Sequence, residues 1–478
     1  MSRSMSRFPF SLLMLVMCAL PMAPLPLQAE LDLRIPDIGN LPGGNAAATL
    51  GQVNAQETGR QLGRRLRSTR PIIEDPELSQ WLRRLGQRLA PPAGISPDNL
   101  TVLLENNSDI NAYSMLGGVI VINSGLILST DSESELAAVL AHEIAHVSQH
   151  HLERMQAENT MSPWVTGLGI LAGAAAASQD ADAGQAILSG TIAYQAHQQI
   201  VFSQRAESEA DRVGLRALAA AGFDPMGMPR FMEKLDRSQN NPYGELGKYL
   251  NSHPLTIDRL SDTRSRAQQQ GNARGRENPD YAFAREKLRQ LTSPGAAAGA
   301  SPYPGLPGYV EGLRQLGRNN PAAALKLAGK DNQPAALLLR AQALLDLKQP
   351  AQAQQLLNPW YQRNPQDEAF ALLLARSLMA AGQPDPAWQV ISRVSLSEAT
   401  SLEFLEGAQT IARQAGLGGE AMLYNAERSL RLGEYAHGRA TLQQALKINT
   451  LPPRTRARIL VLQRSFQLAE RNKGLLDG

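Results

Sequence analysis

The feature that most constrains the fold is a run of five residues, His-Glu-Ile-Ala-His, at 142–146. Apolar residues recur around it at helical spacing: Leu136, Val139, Leu140, Ile144 and Val147. Ser132 and Glu135 upstream have the spacing of a helical capping box. On a helix the two imidazoles, four residues apart, share one face and both reach one tetrahedral Zn²⁺. The sequence therefore predicts a helix that carries a zinc site.

The carboxylate between the two imidazoles is the candidate general base. Glu143 follows the first His directly and is predicted to take a proton from a water whose pKa the metal lowers. Such a run also arises by chance on surface helices, in about one of a few hundred chains with so few histidines. A third ligand would favour the zinc site over chance.

The third ligand is expected from a later helix that stops at Gly222. Glu207, Asp211 and Gly214 share one face of that helix. Glu207 is predicted to complete a His-His-Glu set, and Asp211 to accept the free N–H of a ligating imidazole, while Gly214 lets the helices approach closely. The rival ligand is Glu209, about 200° round the helix from Glu207. Only Glu207 shares a face with Asp211, which favours it.

These motifs together resemble the integral and periplasmic metallopeptidases related to the CaaX prenyl protease. The resemblance covers about residues 70–265 and implies that His142, His146 and Glu207 bind one Zn²⁺ per chain. Two further stretches are similar to the family's strand before the zinc helix and to its His-Pro and Arg pair near the active site: Asn111-Ala112-Tyr113 with Gly117 to Leu126, and His253-Pro254 with Arg259.

The strand before the zinc helix is the candidate substrate-binding element. Val119, Ile120 and Val121 belong to a short β-branched run bounded by glycines, with Asn111 shortly before it. Such a run is expected to form an edge that an extended peptide joins by main-chain hydrogen bonds. An ordinary core strand is the alternative.

The other histidines near the motif are harder to assign. His253 is either an oxyanion donor, with Arg259 adding positive charge, or a fourth zinc ligand that keeps the enzyme latent until a loop moves. The resemblance favours a place near the metal and leaves both roles open; a structural His is the third reading. His150 and His151 are interpreted as surface residues of the zinc helix.

The first 29 residues are predicted to be a secretory signal peptide. Arg3 and Arg7 precede an apolar stretch from Phe8 to Leu20, and Leu27-Gln28-Ala29 has the form of a cleavage site. The expected location is the periplasm.

A mature chain beginning near Glu30 would contain no thiol. The single cysteine, Cys18, lies in the signal, and Met17 before it is not the small residue of a lipoprotein signal. Loss of Arg3 and Arg7 takes the formal charge from +3 to +1. The near-neutral balance predicts no nucleic-acid partner.

The rest of the chain is too long for one core. A run rich in Pro and Gly at 293–308 is the predicted linker between a metallopeptidase domain at 30–292 and a helical domain at 309–478. In the helical domain Gln349-Pro350 recurs as Gln383-Pro384, 34 residues later, which is the tetratricopeptide period.

A third copy of this repeat lies around Gly433, while 395–417 fits the period poorly. We expect about four helix pairs in a solenoid, with a plain helical bundle as the alternative. The predicted fold class is α+β: a mainly helical zinc metallopeptidase domain with a small β-sheet, followed by an all-α tetratricopeptide solenoid.

A secreted zinc peptidase with such repeats resembles periplasmic proteases of Gram-negative outer-membrane quality control. The resemblance implies degradation of misfolded or stalled outer-membrane proteins, help with their assembly, and repeats that bind the barrel-assembly machinery or the client. The alternative is a chaperone or adaptor with a latent metal site. Trp164 to Ala177 is apolar but shorter than the roughly 20 residues of a bilayer span. It is expected to cover the active site, with peripheral membrane contact or a place in the core as alternatives.

Overall fold

The computed structural model describes a large part of the chain in five segments: 45–155, 203–238, 247–271, 278–297 and 303–472. The predicted signal peptide and the apolar segment 164–177 lie outside these residues. Within the described segments, no helix combines the length and the apolar character that a membrane crossing needs.

The first half of the described chain is mainly helical and contains one small sheet, as predicted. Its helices are α1 (Asn45–Thr69), α2 (Pro76–Leu89), α3 (Ser124–Ser129), α4 (Glu133–Ser148), α5 (described over 203–220), α6 (Gly227–Ser238), α7 (Gly247–Ser252), α8 (Ile257–Gln269) and α9 (Pro279–Thr292). Its strands are β1 (Thr101–Glu105), β2 (Ala112–Met115) and β3 (Val119–Asn123).

The sheet places β3 in its centre. β1 pairs with β3 in parallel and β2 pairs with it antiparallel, in the order β1-β3-β2. Val119, Ile120 and Val121 are each at most 1% exposed. The prediction that this strand forms an edge is therefore wrong, because neighbouring strands already take its main-chain hydrogen bonds on both sides. A short β-branched run has the same appearance in a sheet centre as at an edge.

The helix α4, which carries the His-Glu-Ile-Ala-His run, begins as its capping box predicts. The Ser132 hydroxyl accepts the N–H of Glu135 at 3.2 Å, while the Glu135 carboxylate accepts the N–H of Asp131 rather than that of Ser132. Every residue from Glu133 to Ala145 is buried, and α4 packs against α2, α6 and β2. A helix that is buried on all sides explains why apolar residues surround the His-Glu-Ile-Ala-His run.

The second half of the described chain consists of consecutive helix pairs. Its helices are α10 (Leu306–Gly317), α11 (Pro321–Ala328), α12 (Pro334–Asp346), α13 (Pro350–Arg363), α14 (Glu368–Ala380), α15 (Pro384–Ile391), α16 (Leu402–Gln414), α17 (Gly418–Arg431), α18 (Tyr435–Leu446) and α19 (Pro453–Asn472). These form five pairs within the described residues, one more than the expected four or so.

The 34-residue spacing continues through the stretch that fits it poorly in sequence. The helices α12, α14 and α16 begin at Pro334, Glu368 and Leu402, so each start lies 34 residues after the one before. Each helix packs on its neighbours along the chain, and α14 and α15 both contact α16. The helices therefore keep the 34-residue period through 395–417, although the sequence pattern of that stretch departs from it.

The predicted linker is shorter than 293–308. Pro307 and Gly308 lie in the first turn of α10, a position that suits proline because the first helical N–H groups need no partner inside the helix. Added side-chain volume at Gly308 would meet the main-chain oxygen of Leu327 on α11. These two residues serve helix packing rather than a flexible connection.

The two halves contact each other through charged and polar groups. Arg83 Nη2 lies 2.7 Å from Glu368 Oε1, and Arg64 Nη2 lies 2.9 Å from Glu398 Oε1. Glu368 is itself 1% exposed. The helical region is therefore docked on α1 and α2, and the separate folding of 30–292 and 309–478 stays a prediction.

Candidate metal centre

Helices α4 and α5 bring the two sequence motifs together through a close approach at Gly214. A Cβ built on Gly214 would lie 3.0 Å from the oxygen of Ala141 and 3.0 Å from the nitrogen of His142. Backbone atoms in a buried helix cannot give way as a flexible side chain can, so a larger residue would separate the helices. The contact predicted for Gly214 is present, and Glu207, two turns earlier on α5, faces the histidines of α4.

Four potential ligand residues converge on one point. The ligand atoms of His142, His146, Glu207 and His253 all lie within 4.8 Å of one another. His142 Nε2 is 3.0 Å from His146 Nε2 and 3.3 Å from His253 Nδ1. The Glu207 oxygens are 3.3 Å from His142 Nε2 and 3.4 Å from His146 Nε2.

These separations fit a tetrahedral zinc ion. Ligands held at about 2.1 Å in tetrahedral geometry lie about 3.4 Å from one another. Two facing imidazole nitrogens gain little from each other unless a proton or a cation lies between them. The geometry therefore places His142, His146, Glu207 and His253 where a zinc ion would need its ligands.

Asp211 and Arg259 support the first histidine from behind. Asp211 Oδ1 lies 3.0 Å from His142 Nδ1, which directs the Nε2 lone pair of that ring towards the cluster. Arg259 donates to both Asp211 oxygens, at 2.7 and 2.9 Å, and its Nη1 lies 3.0 Å from Glu207 Oε2. Both predicted residues are thus at the site, where Arg259 contacts the carboxylates of Asp211 and Glu207.

The electrostatic surroundings favour positive charge in the middle of the cluster. Burial acts to lower the pKa of His142, but hydrogen bonds to Asp211 and Glu207 outweigh it and raise that pKa to about 10. Burial acts to raise the pKa of Glu207, yet hydrogen bonds from the three histidines of the cluster hold it well below its usual range. A bound cation would supply this charge without protons.

Glu143 is the residue of the site without hydrogen-bond partners. It is fully buried, and neither carboxylate oxygen accepts a hydrogen bond in the described structure. Its Oε1 lies 3.2 Å from His253 Nε2, but without hydrogen-bond geometry. Because a buried carboxylate without a partner is costly, its position beside the ligand cluster indicates a group that acts on a ligand or a water there.

The predicted substrate residues are not all in the place expected. Val119, Ile120 and Val121 lie inside the sheet. The main-chain oxygen of Asn111 accepts the N–H of Asn123 at 3.0 Å, and the Asn111 Oδ1 is buried without a partner. Among the described strands, β2 is paired on one side only and packs against α4. The free edge nearest the metal cluster is therefore that of β2.

One residue near the site was misjudged from the sequence. His151, interpreted as a surface residue, is buried at 4% exposure, whereas His150 is exposed as predicted. Glu209, the rival ligand, binds His151 Nε2 at 3.1 Å and is outside the ligand cluster. No spacing rule in the sequence marks this contact, since it depends on a turn of the backbone at His150.

Comparison with known proteins agrees with this geometry. Residues 76–267 match peptidase family M48. The chain is 39% identical to the "Beta-barrel assembly-enhancing protease" of Yersinia pestis over 254 residues, which is 53% of this chain and 51% of that protein. The protein of the same name from Escherichia coli (strain K12) is 39% identical over 235 residues, 49% of this chain and 47% of that protein.

A more distant relative matches a smaller share of the chain. The "Mitochondrial metalloendopeptidase OMA1" of Arabidopsis thaliana is 30% identical over 183 residues, 38% of this chain and 35% of that protein. The chain thus spans about half the length of the beta-barrel assembly-enhancing proteases it matches. The region that matches peptidase family M48 contains the His-Glu-Ile-Ala-His helix and the converging Glu207, so the similarity covers the part of the chain that carries the ligand cluster.

Proposed function

We propose that this protein is a zinc-dependent endopeptidase of the periplasm that degrades misfolded or stalled outer-membrane proteins and assists their assembly. The observation that carries the proposal is the convergence of His142, His146 and Glu207 beside the buried, unpartnered carboxylate of Glu143. That combination supplies ligands and a base at one point, as peptide hydrolysis requires.

The chemistry divides between the metal and the chain. A bound Zn²⁺ supplies Lewis acidity, which lowers the pKa of a water and polarises a peptide carbonyl. Glu143 accepts the proton of the attacking water and passes it to the leaving amine. Asp211 and Arg259 keep the ring of His142 in its ligating orientation.

The free edge of β2 is the proposed binding site for an extended substrate. Ala112–Met115 pairs with β3 on one side and packs against the helix that carries both zinc histidines. An extended client segment added along its other side would gain main-chain hydrogen bonds without a sequence requirement. This mode of binding suits clients that share an unfolded state rather than a sequence motif.

The proposed clients and partners come from the relatives and from the helical region. The names of the relatives from Yersinia pestis and Escherichia coli describe proteases that enhance β-barrel assembly. The helix pairs with a 34-residue period support a tetratricopeptide solenoid. Its surface is the proposed contact with the barrel-assembly machinery or with the client.

A second candidate function is a chaperone or adaptor whose metal site is latent. His253 favours it, because its ring packs against that of Tyr249, with centroids 4.8 Å apart and the planes tilted by 31°, and lies within the ligand cluster. The apolar cavity beside His142 and His253 measures only about 20 Å³, which is room for about one water molecule. The two functions are compatible if His253 leaves the cluster when a client binds.

Replacing His253 by Ala is expected to raise the basal proteolysis of an unfolded outer-membrane protein. The reason is that His253 Nδ1, 3.1 Å from Glu207 Oε1, stands where water and substrate need access. The measurement is the initial cleavage rate of the His253→Ala protein and the parent on one client. The control is His150→Asn, which changes an exposed histidine outside the ligand cluster. If His253 is instead an oxyanion donor, the rate falls by about 100- to 1,000-fold at full zinc occupancy.

The proposed function itself is tested by digestion of an unfolded outer-membrane β-barrel protein. The parent protein is expected to cleave this client. Cleavage should stop when a chelator removes the metal and should resume when zinc is returned. Cleavage that continues unchanged after complete metal removal would show that this site is not responsible.

A further inference from the structure

We propose that His151 and Glu209 are positioning residues that fix the orientation and tautomer of the ligand His146. The inference rests on the proposed function, because it assumes that His146 binds a metal through Nε2. Its basis is a continuous polar chain: His146 Nδ1 lies 2.8 Å from His151 Nδ1, and His151 Nε2 lies 3.1 Å from Glu209 Oε2.

The fold brings His151 to this place by ending α4 early. In a continuing helix, a residue five positions after His146 would point about 140° away from it. Instead α4 ends at Ser148, and His150 adopts a left-handed backbone conformation with φ of 54°. Since such a conformation is uncommon for residues other than glycine, the turn is a specific feature of the chain. It returns the ring of His151 to that of His146, which it meets edge-on with 4.8 Å between centroids.

The positions of the protons along this chain follow from its two ends. The Glu209 carboxylate only accepts hydrogen bonds, so His151 donates through Nε2–H. A neutral His151 then has a bare Nδ1, which accepts the Nδ1–H of His146. With its single proton held on Nδ1, His146 presents the Nε2 lone pair to the cluster. Each hydrogen bond in this chain fixes the proton position in the next one. Removal of His151 or Glu209 should therefore leave the ring of His146 less well oriented.

The arrangement parallels the support of the other zinc histidine. His142 Nδ1 contacts the Asp211 carboxylate directly, and Arg259 holds that carboxylate from behind. On the His146 side an imidazole is interposed before the Glu209 carboxylate, which Arg154 holds at 3.1 Å. Both imidazoles of the zinc helix thus have a carboxylate behind them that selects the tautomer for ligation.

The test is zinc affinity measured by competition with a chromophoric chelator. His151→Leu removes the acceptor for the Nδ1–H of His146, and we expect it to weaken zinc binding by about 10- to 100-fold. Glu209→Gln should weaken it less, because an amide oxygen still accepts from His151. His151→Asn places an oxygen near the lost Nδ1, and we expect it to restore part of the affinity. The matched control is His150→Asn. His150 is the exposed neighbour of His151, and asparagine tolerates the left-handed conformation of the backbone at this position.

A second measurement separates positioning from general structure. The thermal unfolding of each metal-free variant is compared with that of the metal-free parent; unchanged midpoints with weakened zinc binding support the proposal. Equal zinc affinity in the parent, His151→Leu and Glu209→Gln would overturn it. Restoration by His151→Asn supports it even if the Leu variant fails to fold. A parent that binds no zinc would instead refute the proposed function.

Discussion

Replacement of Glu143 by Gln is expected to reduce proteolysis by about 100- to 10,000-fold while zinc binding is retained. The side chain keeps its shape, and the ligand cluster does not include it, so the loss would be that of a proton acceptor. The carboxylate is fully buried and accepts no hydrogen bond. The amide removes an unpartnered charge, so the free energy of unfolding should stay constant or rise. The measurements are the cleavage rate on an unfolded client, bound zinc, and the urea unfolding midpoint.

The control for this prediction is Glu153→Gln, which changes a half-buried carboxylate outside the ligand cluster, 3.7 Å from His150. It should alter neither rate nor zinc content. Loss of zinc from the Glu143→Gln protein would assign Glu143 to the ligand set and remove it as the base.

Replacement of Arg259 by Leu is expected to destabilise the fold by about 3–5 kcal/mol. Arg259 is 8% exposed and holds two buried carboxylates, with both Asp211 oxygens within 2.9 Å and Glu207 Oε2 at 3.0 Å. Its loss would leave two negative charges in the interior with only histidines beside them. Urea unfolding of metal-free protein measures the effect, since bound zinc would mask part of it.

The matched change for this second prediction is Arg266→Leu, on the same helix α8. Arg266 pairs with Asp262 at the surface, with side chains 43% and 48% exposed, and an exposed pair contributes about 0–1 kcal/mol. Arg259→Lys should recover part of the loss, because it restores the charge but not the two parallel hydrogen bonds. A cost below about 1 kcal/mol for Arg259→Leu would mean that the carboxylates relax towards other partners.

The parts of the site that lie on single helices were predictable from spacing. His142 and His146 share a face because they are four residues apart, and Glu207 shares a face with Asp211 and Gly214 for the same reason. The two motifs converge only if their helices approach closely at Gly214. A glycine has no side chain, so it indicates such an approach in the sequence. His253 and Arg259 come from a distant loop and helix, and only their resemblance to a family placed them near the metal.

The parts that depend on pairing between distant segments were not predictable. The sheet order is β1-β3-β2, so β3 pairs both with β2, which precedes it directly in the chain, and with the more distant β1. A period-two or β-branched pattern carries no information about which strands become neighbours. His151 was misplaced for a similar reason, because a left-handed residue at His150 redirects the chain after α4.

The proposed peptidase activity depends most on a zinc ion held by the His142, His146 and Glu207 side chains. The direct measurement is the zinc content of purified parent protein and of Glu207→Ala, after equilibration with zinc and removal of the excess. We predict one zinc per chain in the parent, and loss of stoichiometric binding in the variant, because the variant lacks the one carboxylate ligand, whose oxygens also contact the nitrogens of all three histidines in the cluster. A parent without zinc, or a Glu207→Ala protein that retains one zinc per chain, would contradict the account.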